Sequence, residues 1–203
     1  MIINKSSRYN AAGEFWYDGR EVIFQRIWGG LAFVGNPLFA IVVGEENFFG
    51  ETHYYILVEA QNETNNTIYD LIETVVRFAA LYKTKRWLGR LDVNIKEILA
   101  VCNKDMYNSG IRGLHVQDVP RINEYIDEAV SLIHNLVKPE KKRLHFFSDS
   151  MIPSELTSIP STNITSKSYP KTTALCCVLW GMLRYGHENV DSAMLIPKPE
   201  GAF

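Results

Sequence analysis

The pattern of apolar and polar positions predicts three strands in the first third of the chain. From Arg20 to Phe33, β-branched and aromatic residues dominate, which is typical of a strand. The pair Gly29–Gly30 interrupts this stretch, so we expect a bulge or a close backbone approach there. Phe39–Val43 and His53–Glu59 are the second and third strands. Because short loops join consecutive strands, the sequence favours an antiparallel meander.

A helical repeat follows the third strand. Asn62–Asn66 is polar and supplies capping groups, and apolar residues then recur at helical spacing from Ile68 to Tyr82. The short apolar stretch Trp87–Leu91 comes next and leads directly into Asp92. A strand–helix–strand passage of this kind predicts a parallel crossover of right hand.

The second half of the chain is predicted to contain two long helices with a strand between them. Gly113–Val116 is a candidate for a short strand, and the apolar positions of Ile122–Val137 fit the helical template. Arg143–Phe147 is predicted as the fifth strand, and Thr172–Tyr185 as the last helix. The polar stretch Ser148–Pro170 has the length of a functional or partly structured loop. These elements predict an α/β fold with a mixed sheet: three antiparallel strands, then parallel crossover strands, with flanking helices.

Size and composition indicate one domain with appendages. The chain has 203 residues, 46% of them hydrophobic and 22% charged, which is ordinary for a globular domain. We expect an N-terminal arm over residues 1–18, a domain over 19–187 and a C-terminal tail over 188–203. The formal net charge of −2 predicts no global attraction to nucleic acid or to membranes, so any such contact depends on a local patch.

The cysteines and the N-terminus predict a reduced, intracellular setting. Cys102, Cys176 and Cys177 form no C-x-x-C pair, so neither a disulfide scaffold nor a zinc site is indicated. The first residues lack the apolar run of a signal peptide, and no apolar stretch is long enough to span a bilayer. We therefore expect a cytoplasmic protein without a membrane association.

Three stretches of the sequence carry a resemblance to a known family. PLFAIVVGE and HYYILVEAQNETNNTIYDLIETVVRFAALYKTKRWLGRLD have its hairpin, its helix and its strand that ends on an acid. EYIDEAVSLIHNLVKPEKKRLHFFSDSMIPSEL resembles its next helix, strand and small helix, and YPKTTALCCVLWGMLRYG resembles its closing helix. From Glu21 to Gly186 the order is similar to a ribonuclease-H-like fold. Within that group it is most similar to the nuclease domain of phage terminase large subunits.

That resemblance implies the fold of a metal-dependent nuclease in which most of the metal-binding acids are missing. Members of the family cleave DNA with two metal ions, Mg²⁺ or Mn²⁺, held by acids from the first strand, the fourth strand and the last helix. The fourth-strand position matches Asp92. The first-strand position falls within residues 26–33 and the closing-helix position near Thr172–Ala174, and neither stretch contains an acid. The resemblance therefore implies a degenerate metal site. The chain also lacks a G-x-x-x-x-G-K-[ST] loop, which excludes ATP-driven translocation by that mechanism.

Three acids are the candidates for a substitute metal site. Asp92 is the candidate catalytic residue, and its alternative role is to cap the residues that follow it. Glu59 ends the third strand and Asp149 follows the predicted fifth strand, so both could approach Asp92. Their alternative roles are an ordinary strand-end carboxylate and a turn former. If a substitute site exists, we expect Asp92, Glu59 and Asp149 to form it.

Two clusters of basic residues are candidate phosphate contacts. Each follows a predicted helix C-terminus, where the helix dipole stabilises cations, so solvated helix ends are the alternative. The candidate nucleic-acid-binding residues are Lys83, Lys85, Arg86 and Arg90 in the first cluster, and Lys142 and Arg143 in the second.

Two functions of different class remain open. The first is a nuclease-like protein of phage DNA packaging with a degenerate metal site, encoded by a phage or prophage and partnered by DNA or by packaging proteins. The second is a non-catalytic pseudo-enzyme on the same fold that binds nucleic acid or protein. The missing acids favour reduced activity, and the resemblance favours the DNA context.

Overall fold

The computed structural model describes residues 1–10, 13–34, 38–62, 66–92, 99–101, 103–104, 115–119, 122–160 and 168–184. The strands are β1 (Ile2–Lys5), β2 (Phe15–Tyr17), β3 (Arg20–Val22), β4 (Arg26–Phe33), β5 (Leu38–Phe48), β6 (Glu51–Asn62), β7 (Arg86–Leu91), β8 (His115–Asp118) and β9 (Leu144–His145). The helices are α1 (Ile68–Tyr82), α2 (Ile122–Val137), α3 (Ile152–Leu156) and α4 (Pro170–Arg184).

One mixed sheet carries the fold, and its strand order is β1-β6-β5-β4-β7-β8. Strands β4, β5 and β6 are antiparallel neighbours, whereas β7 lies parallel to β4 and β8 lies parallel to β7. Strand β9 pairs in parallel with the first half of β6, and β1 pairs antiparallel with its second half. The predicted α/β class, with an antiparallel meander followed by parallel crossover strands, is confirmed.

Each face of the sheet is covered by its own apolar core. Helices α2, α3 and α4 pack on one face, around residues such as Ile41, Ile56 and Leu88. Helix α1 and the β2–β3 hairpin pack on the other face, around Leu57 and Trp87. Because alternate residues of a strand point to opposite faces, the near-continuous apolar runs of β4 to β7 are what a sheet covered on both sides requires.

Helix α1 begins where the sequence predicts. Thr67 is the N-cap, and a capping box joins it to Asp70, whose carboxylate accepts a hydrogen bond from the Thr67 N–H at 2.7 Å. Lys83 ends the helix in a left-handed conformation. Strand β7 then runs parallel to β4, which confirms the predicted crossover.

The stretch Arg20–Phe33 forms two strands, and the break lies earlier than expected. Residues 23–25 separate β3 from β4, and β4 runs unbroken through Gly29 and Gly30. The expected close approach at the glycines is confirmed, because a Cβ on Gly29 would lie 2.0 Å from the Trp87 ring. The break at residues 23–25 lets β3 turn away to pair with β2.

The predicted strand Arg143–Phe147 is shorter than expected. Only Leu144 and His145 form β9, and they pair with Tyr54 and Tyr55 of β6. The position beside β7 belongs to β8, which overlaps the candidate strand Gly113–Val116. Only Val116 of β8 is buried, so the four residues carry little apolar signal.

Part of the predicted N-terminal arm lies in the sheet. Strand β1 pairs with residues 58–61 of β6, and Phe15 is buried with its ring 5.6 Å from the ring of Tyr55. Within the predicted loop 148–170, the helical turn at Met151–Leu156 is present as α3. The predicted tail, residues 188–203, lies outside the described residues, as does Cys102. In the part of the chain that the structure describes, no helix is long and apolar enough to cross a membrane.

Candidate functional site

The three elements that would carry metal-binding acids come together in the structure. They are β4, β7 and α4, because α4 packs along β4 and β7 on one face of the sheet. On that face β4 presents alternate residues, including Gly30, and β7 presents Leu88. Asp92 lies one residue beyond the end of β7. The arrangement of two strands and a helix that the sequence resemblance implies is therefore present.

Glycines bring α4 into direct contact with the strands. A Cβ on Gly30 would lie 2.3 Å from the carbonyl oxygen of Ala174, a backbone atom of α4. Further along the helix, a Cβ on Gly181 would lie 2.1 Å from the side chain of Leu88. No side chain fits at Gly30 unless the helix moves, so the space that a first-strand carboxylate would need is filled by backbone.

Asp92 extends the pairing of β7 with β4. Its N–H donates a hydrogen bond to the carbonyl of Phe33 at 2.8 Å, and its side chain is half-buried. The alternation of β7 places Asp92 on the same face of the sheet as Leu88 and Arg90. The predicted capping role concerns residues 93–98, which lie outside the described residues.

Glu59 is a fully buried carboxyl group at the far side of the sheet. It accepts hydrogen bonds from the hydroxyl of Ser150 and, at 2.6 Å, from the N–H of Met151. Burial raises the pKa of Glu59, while the hydrogen bonds from Ser150 and Met151 and the charge of Lys171 oppose that rise. Glu59 thus ties β6 to the segment that enters α3.

The structure brings Glu59 and Asp149 to the same edge of the sheet but leaves Asp92 away from them. Asp149 is exposed, and its backbone carbonyl accepts a hydrogen bond from Asn4 at 2.9 Å. Glu59 lies in the same row of paired residues as Leu88, three strands away from it, and Asp92 lies four residues beyond Leu88. The usual spacing between strands and rise per residue then put Asp92 and Glu59 about 20 Å apart. The three acids do not form one site.

The residues present do not fit a two-metal centre. Among the described residues, no group of three or more histidine, cysteine, aspartate or glutamate side chains could hold a metal ion. Where α4 begins, its polar side chains are the amine of Lys171 and the buried hydroxyls of Thr172 and Thr173. Two divalent ions need several carboxylates to neutralise them, and this position offers glycine, lysine, threonine and apolar side chains.

Asp118 is an acid near β7 that the sequence reasoning missed. Its Oδ1 atom accepts a hydrogen bond from the N–H of Leu91 at 2.9 Å and lies 3.7 Å from the guanidinium of Arg90. Asp118 ends β8 and joins β8 to β7. Arg90, a predicted phosphate contact, is therefore engaged in an internal ion pair.

Three members of the first basic cluster, Lys83, Lys85 and Arg86, lie at the opposite end of the sheet from Asp92. Lys83 and Lys85 are exposed, and Arg86 begins β7. The guanidinium of Arg86 lies 4.8 Å from the ring centre of Trp28, and that of Arg26 lies 5.3 Å from the same ring. The parallel strands β4 and β7 start at Arg26 and Arg86, so these cations lie at the amino end of the parallel strands.

The second basic cluster lies at the same end of the sheet. Lys142 is exposed, and Arg143 forms an ion pair with Glu51, the first residue of β6. The carbonyl of Arg143 also accepts a hydrogen bond from the N–H of Tyr54 at 2.7 Å. Apart from Arg90, both clusters therefore lie around the amino end of the parallel strands.

A histidine pair lies near the second basic cluster and was not singled out by sequence. Nδ1 of His53 lies 3.1 Å from Nε2 of His145, and Nδ1 of His145 lies 2.9 Å from the hydroxyl of Tyr17. Burial lowers the pKa of His145 to about 4, and the neighbouring His53 adds to that effect. The pair links β6, β9 and the β2–β3 hairpin. His53 and His145 are distant in sequence, so only the fold brings them together.

Comparisons with solved structures show the fold. The large terminase nuclease from thermophilic phage G20c is similar over 81% of this chain and 89% of that chain, with a TM-score of 0.50 and 12% sequence identity. The chain has a ribonuclease-H-like fold. RuvC from Thermus thermophilus is similar over 78% of this chain and 96% of that one, with a TM-score of 0.44 and 12% identity. No family model matches the sequence, and no curated protein matches it. The resemblance seen in the sequence is confirmed at the level of the fold.

Proposed function

We propose that this protein is a nuclease-like DNA-binding protein with a degenerate metal site, which holds DNA during phage DNA packaging without two-metal cleavage. Its fold is similar to that of a terminase nuclease, and Lys83, Lys85 and Lys142 are exposed at the end of the sheet away from Asp92. The phage and packaging context rests on that fold similarity and on the sequence resemblance. DNA and other packaging proteins are the partners that this role implies.

The contact between β4 and α4 is the observation that carries the proposal. A first-strand acid would have to stand at or beside Gly30, where the backbone of Ala174 already occupies the space. The first turn of α4 supplies threonines instead of an acid. Mg²⁺ or Mn²⁺ therefore has only Asp92 of the expected ligands, and one carboxylate does not hold the pair of cations that in-line cleavage needs.

The exposed cations support DNA as the partner. Lys83, Lys85 and Lys142 are exposed at the amino end of the sheet, and Arg86 stands beside them, stacked on Trp28. Lysines and arginines on one surface contact phosphates without reading sequence. The overall charge of −2 means that such binding depends on this surface and weakens with salt.

A plasmid experiment tests both parts of the proposal. The full chain is incubated with supercoiled plasmid and Mn²⁺, and the DNA is examined by gel before and after removal of the protein. We expect a mobility shift before removal and intact supercoiled plasmid after it. Lys83→Gln/Lys85→Gln is expected to weaken the shift, with Lys5→Gln, an exposed lysine on β1, as the matched control.

The outcomes separate the two parts. Nicked or linear plasmid that disappears with Asp92→Ala would refute the degenerate site and support an active nuclease. Intact plasmid without any shift at low salt would refute DNA binding, and the protein-binding module would then be the function that remains.

A further inference from the structure

The turn between β5 and β6 exposes an aromatic ring in a strained backbone conformation. Phe48 pairs with Glu51, so Phe49 and Gly50 form a two-residue loop, with φ of +51° and +82° respectively. Positive φ at both positions is the pattern of a type I′ turn, in which Asn-Gly is the favoured pair. Phe49 is 91% exposed. A bulky residue in the left-handed region costs stability, and here its side chain gains almost no burial in return.

A rigid support lies directly behind this ring. Phe48 packs edge-on against Phe49, with ring centres 4.4 Å apart, and the guanidinium of Arg20 lies 3.7 Å from the ring centre of Phe48. Glu46 holds Arg20 in place, with a hydrogen bond of 2.7 Å between Nη2 and Oε2. The Phe49 ring therefore contacts a ring that Arg20 and Glu46 hold in place.

A second strained turn with exposed lysines lies beside the first. Lys138, Lys141 and Lys142 are exposed on the turn between α2 and β9, and Lys142 has a φ of +43°. The ion pair between Arg143 and Glu51 joins this turn to the first residue of β6, next to Gly50. Two adjoining turns therefore keep unfavourable backbone conformations, and together they present a ring and three ammonium groups.

We infer that these two turns form a binding surface for a single nucleic-acid strand with unpaired bases. The surface, here named the stacking surface, consists of Phe49, Lys138, Lys141 and Lys142. A flat exposed ring stacks on any base, and lysines at one side follow one phosphate backbone, which is how sequence-tolerant single-strand binding works. This inference rests on the proposed function and names the form of DNA and the place where it binds.

Substitutions at Phe49 separate binding from folding. Phe49→Asn removes the ring and introduces the residue that a type I′ turn prefers, so we expect a higher melting temperature together with about tenfold weaker binding of a single-stranded oligonucleotide. Phe49→Tyr keeps the ring and should keep the affinity. Tyr69→Ala is the matched control, because Tyr69 is a 78% exposed aromatic on α1, away from the stacking surface.

The measurement uses the full chain and two probes. Fluorescence anisotropy of labelled single-stranded and duplex oligonucleotides gives the affinities, and a fluorescent purine analogue in the single strand reports stacking by its quenching. Equal affinity of wild type and Phe49→Asn for the single strand would overturn the stacking surface while leaving DNA binding intact. If the protein binds duplex but no single strand, the inference also fails and the proposed function stands. If it binds neither probe, both fail.

Discussion

The middle and the amino end of the parallel strands differ in how their space is used. In the middle, on the face covered by α4, the helix backbone lies against Gly30, and Glu59 is enclosed by hydrogen bonds to the segment before α3. At the amino end, lysines are exposed, arginines stack on Trp28, and the Phe49 ring faces solvent. The strands and helix of a ribonuclease-H-like fold can thus be present without a group of three metal-binding side chains among the described residues. The presence of the fold alone does not predict a metal centre.

The largest effect is expected from placing an acid at the first-strand position. Gly30→Asp should destabilise the protein by about 4 kcal/mol or more, because its Cβ meets the Ala174 carbonyl and its carboxylate is buried without a partner. Urea unfolding followed by tryptophan fluorescence measures the loss. Gly30→Ala separates the steric part from the charge, and Gln25→Asp, at an exposed position before β4, is the control for the added acid.

If Gly30→Asp folds with unchanged stability and then binds Mn²⁺, the space around Gly30 has room for a metal ion. The difference between this region and the amino end would then depend on one missing side chain and not on the packing of α4.

A smaller effect is expected at Glu59. Glu59→Leu leaves the Ser150 hydroxyl and the Met151 N–H without their acceptor, which should cost about 2–3 kcal/mol of unfolding free energy. Glu59→Gln keeps an acceptor and should cost less. Chemical denaturation at neutral pH checks the order of the two variants. Equal stability of Glu59→Leu and wild type would show that Glu59 does not tie β6 to α3.

The pH dependence of Glu59 has a definite sign. Its pKa is raised in the folded protein, so the native state holds a proton that the unfolded chain releases. The stabilising contribution is fully present below the unfolded pKa of about 4.3 and is lost as the pH rises through the folded value. The difference in unfolding free energy between wild type and Glu59→Gln should therefore change with pH in that window. A constant difference would contradict the raised pKa.

His145 should show the opposite dependence on pH. Its pKa is lowered to about 4, so the unfolded chain binds a proton that the folded protein does not. Stability should fall by about 2 kcal/mol as the pH drops from about 6.5 to about 4, allowing for the partial exposure of the ring. His145→Phe should remove this fall, whereas His134→Gln, on the exposed side of α2, should keep it. If the unfolding free energies of wild type and His145→Phe depend on pH in the same way, His145 is not the group that causes the fall.

The smallest effect is expected from single lysines at the amino end. Lys83→Gln and Lys85→Gln should each weaken duplex binding by about two- to fivefold and reduce its salt dependence by about one phosphate contact. Anisotropy over a range of salt concentrations measures both quantities. An unchanged salt slope in the double variant would mean that the amino end does not hold phosphates.

The local parts of the fold could be predicted from the sequence, and the long-range parts could not. Helix α1 and strand β7 follow from periodicity and capping, because their signals lie within a few residues. The edge on which β9 pairs depends on contacts between Leu144 and Tyr54, which are far apart in the chain. Strand β8 has a single buried residue, and the candidate strand Gly113–Val116 overlaps it at His115 and Val116 only.

The candidate site also has features that the sequence predicts and features that only the fold reveals. The absence of acids in β4 and at the start of α4 is visible in the sequence, whereas the packing of Gly30 on Ala174 is a property of the assembled layers. Glu59 could be singled out as a strand-end acid, but its partner Ser150 is 91 residues away. Spacing along the chain does not reveal such a pair, and the same holds for His53 and His145.

The most direct test of the account is a titration of the full chain with Mn²⁺ in the presence of duplex DNA, followed by electron paramagnetic resonance. If the metal site is degenerate, we expect the protein–DNA complex to take up no more Mn²⁺ than the DNA alone. Uptake of two further Mn²⁺ ions per protein, abolished by Asp92→Ala, would contradict it and would place a two-metal centre where α4 meets β4 and β7.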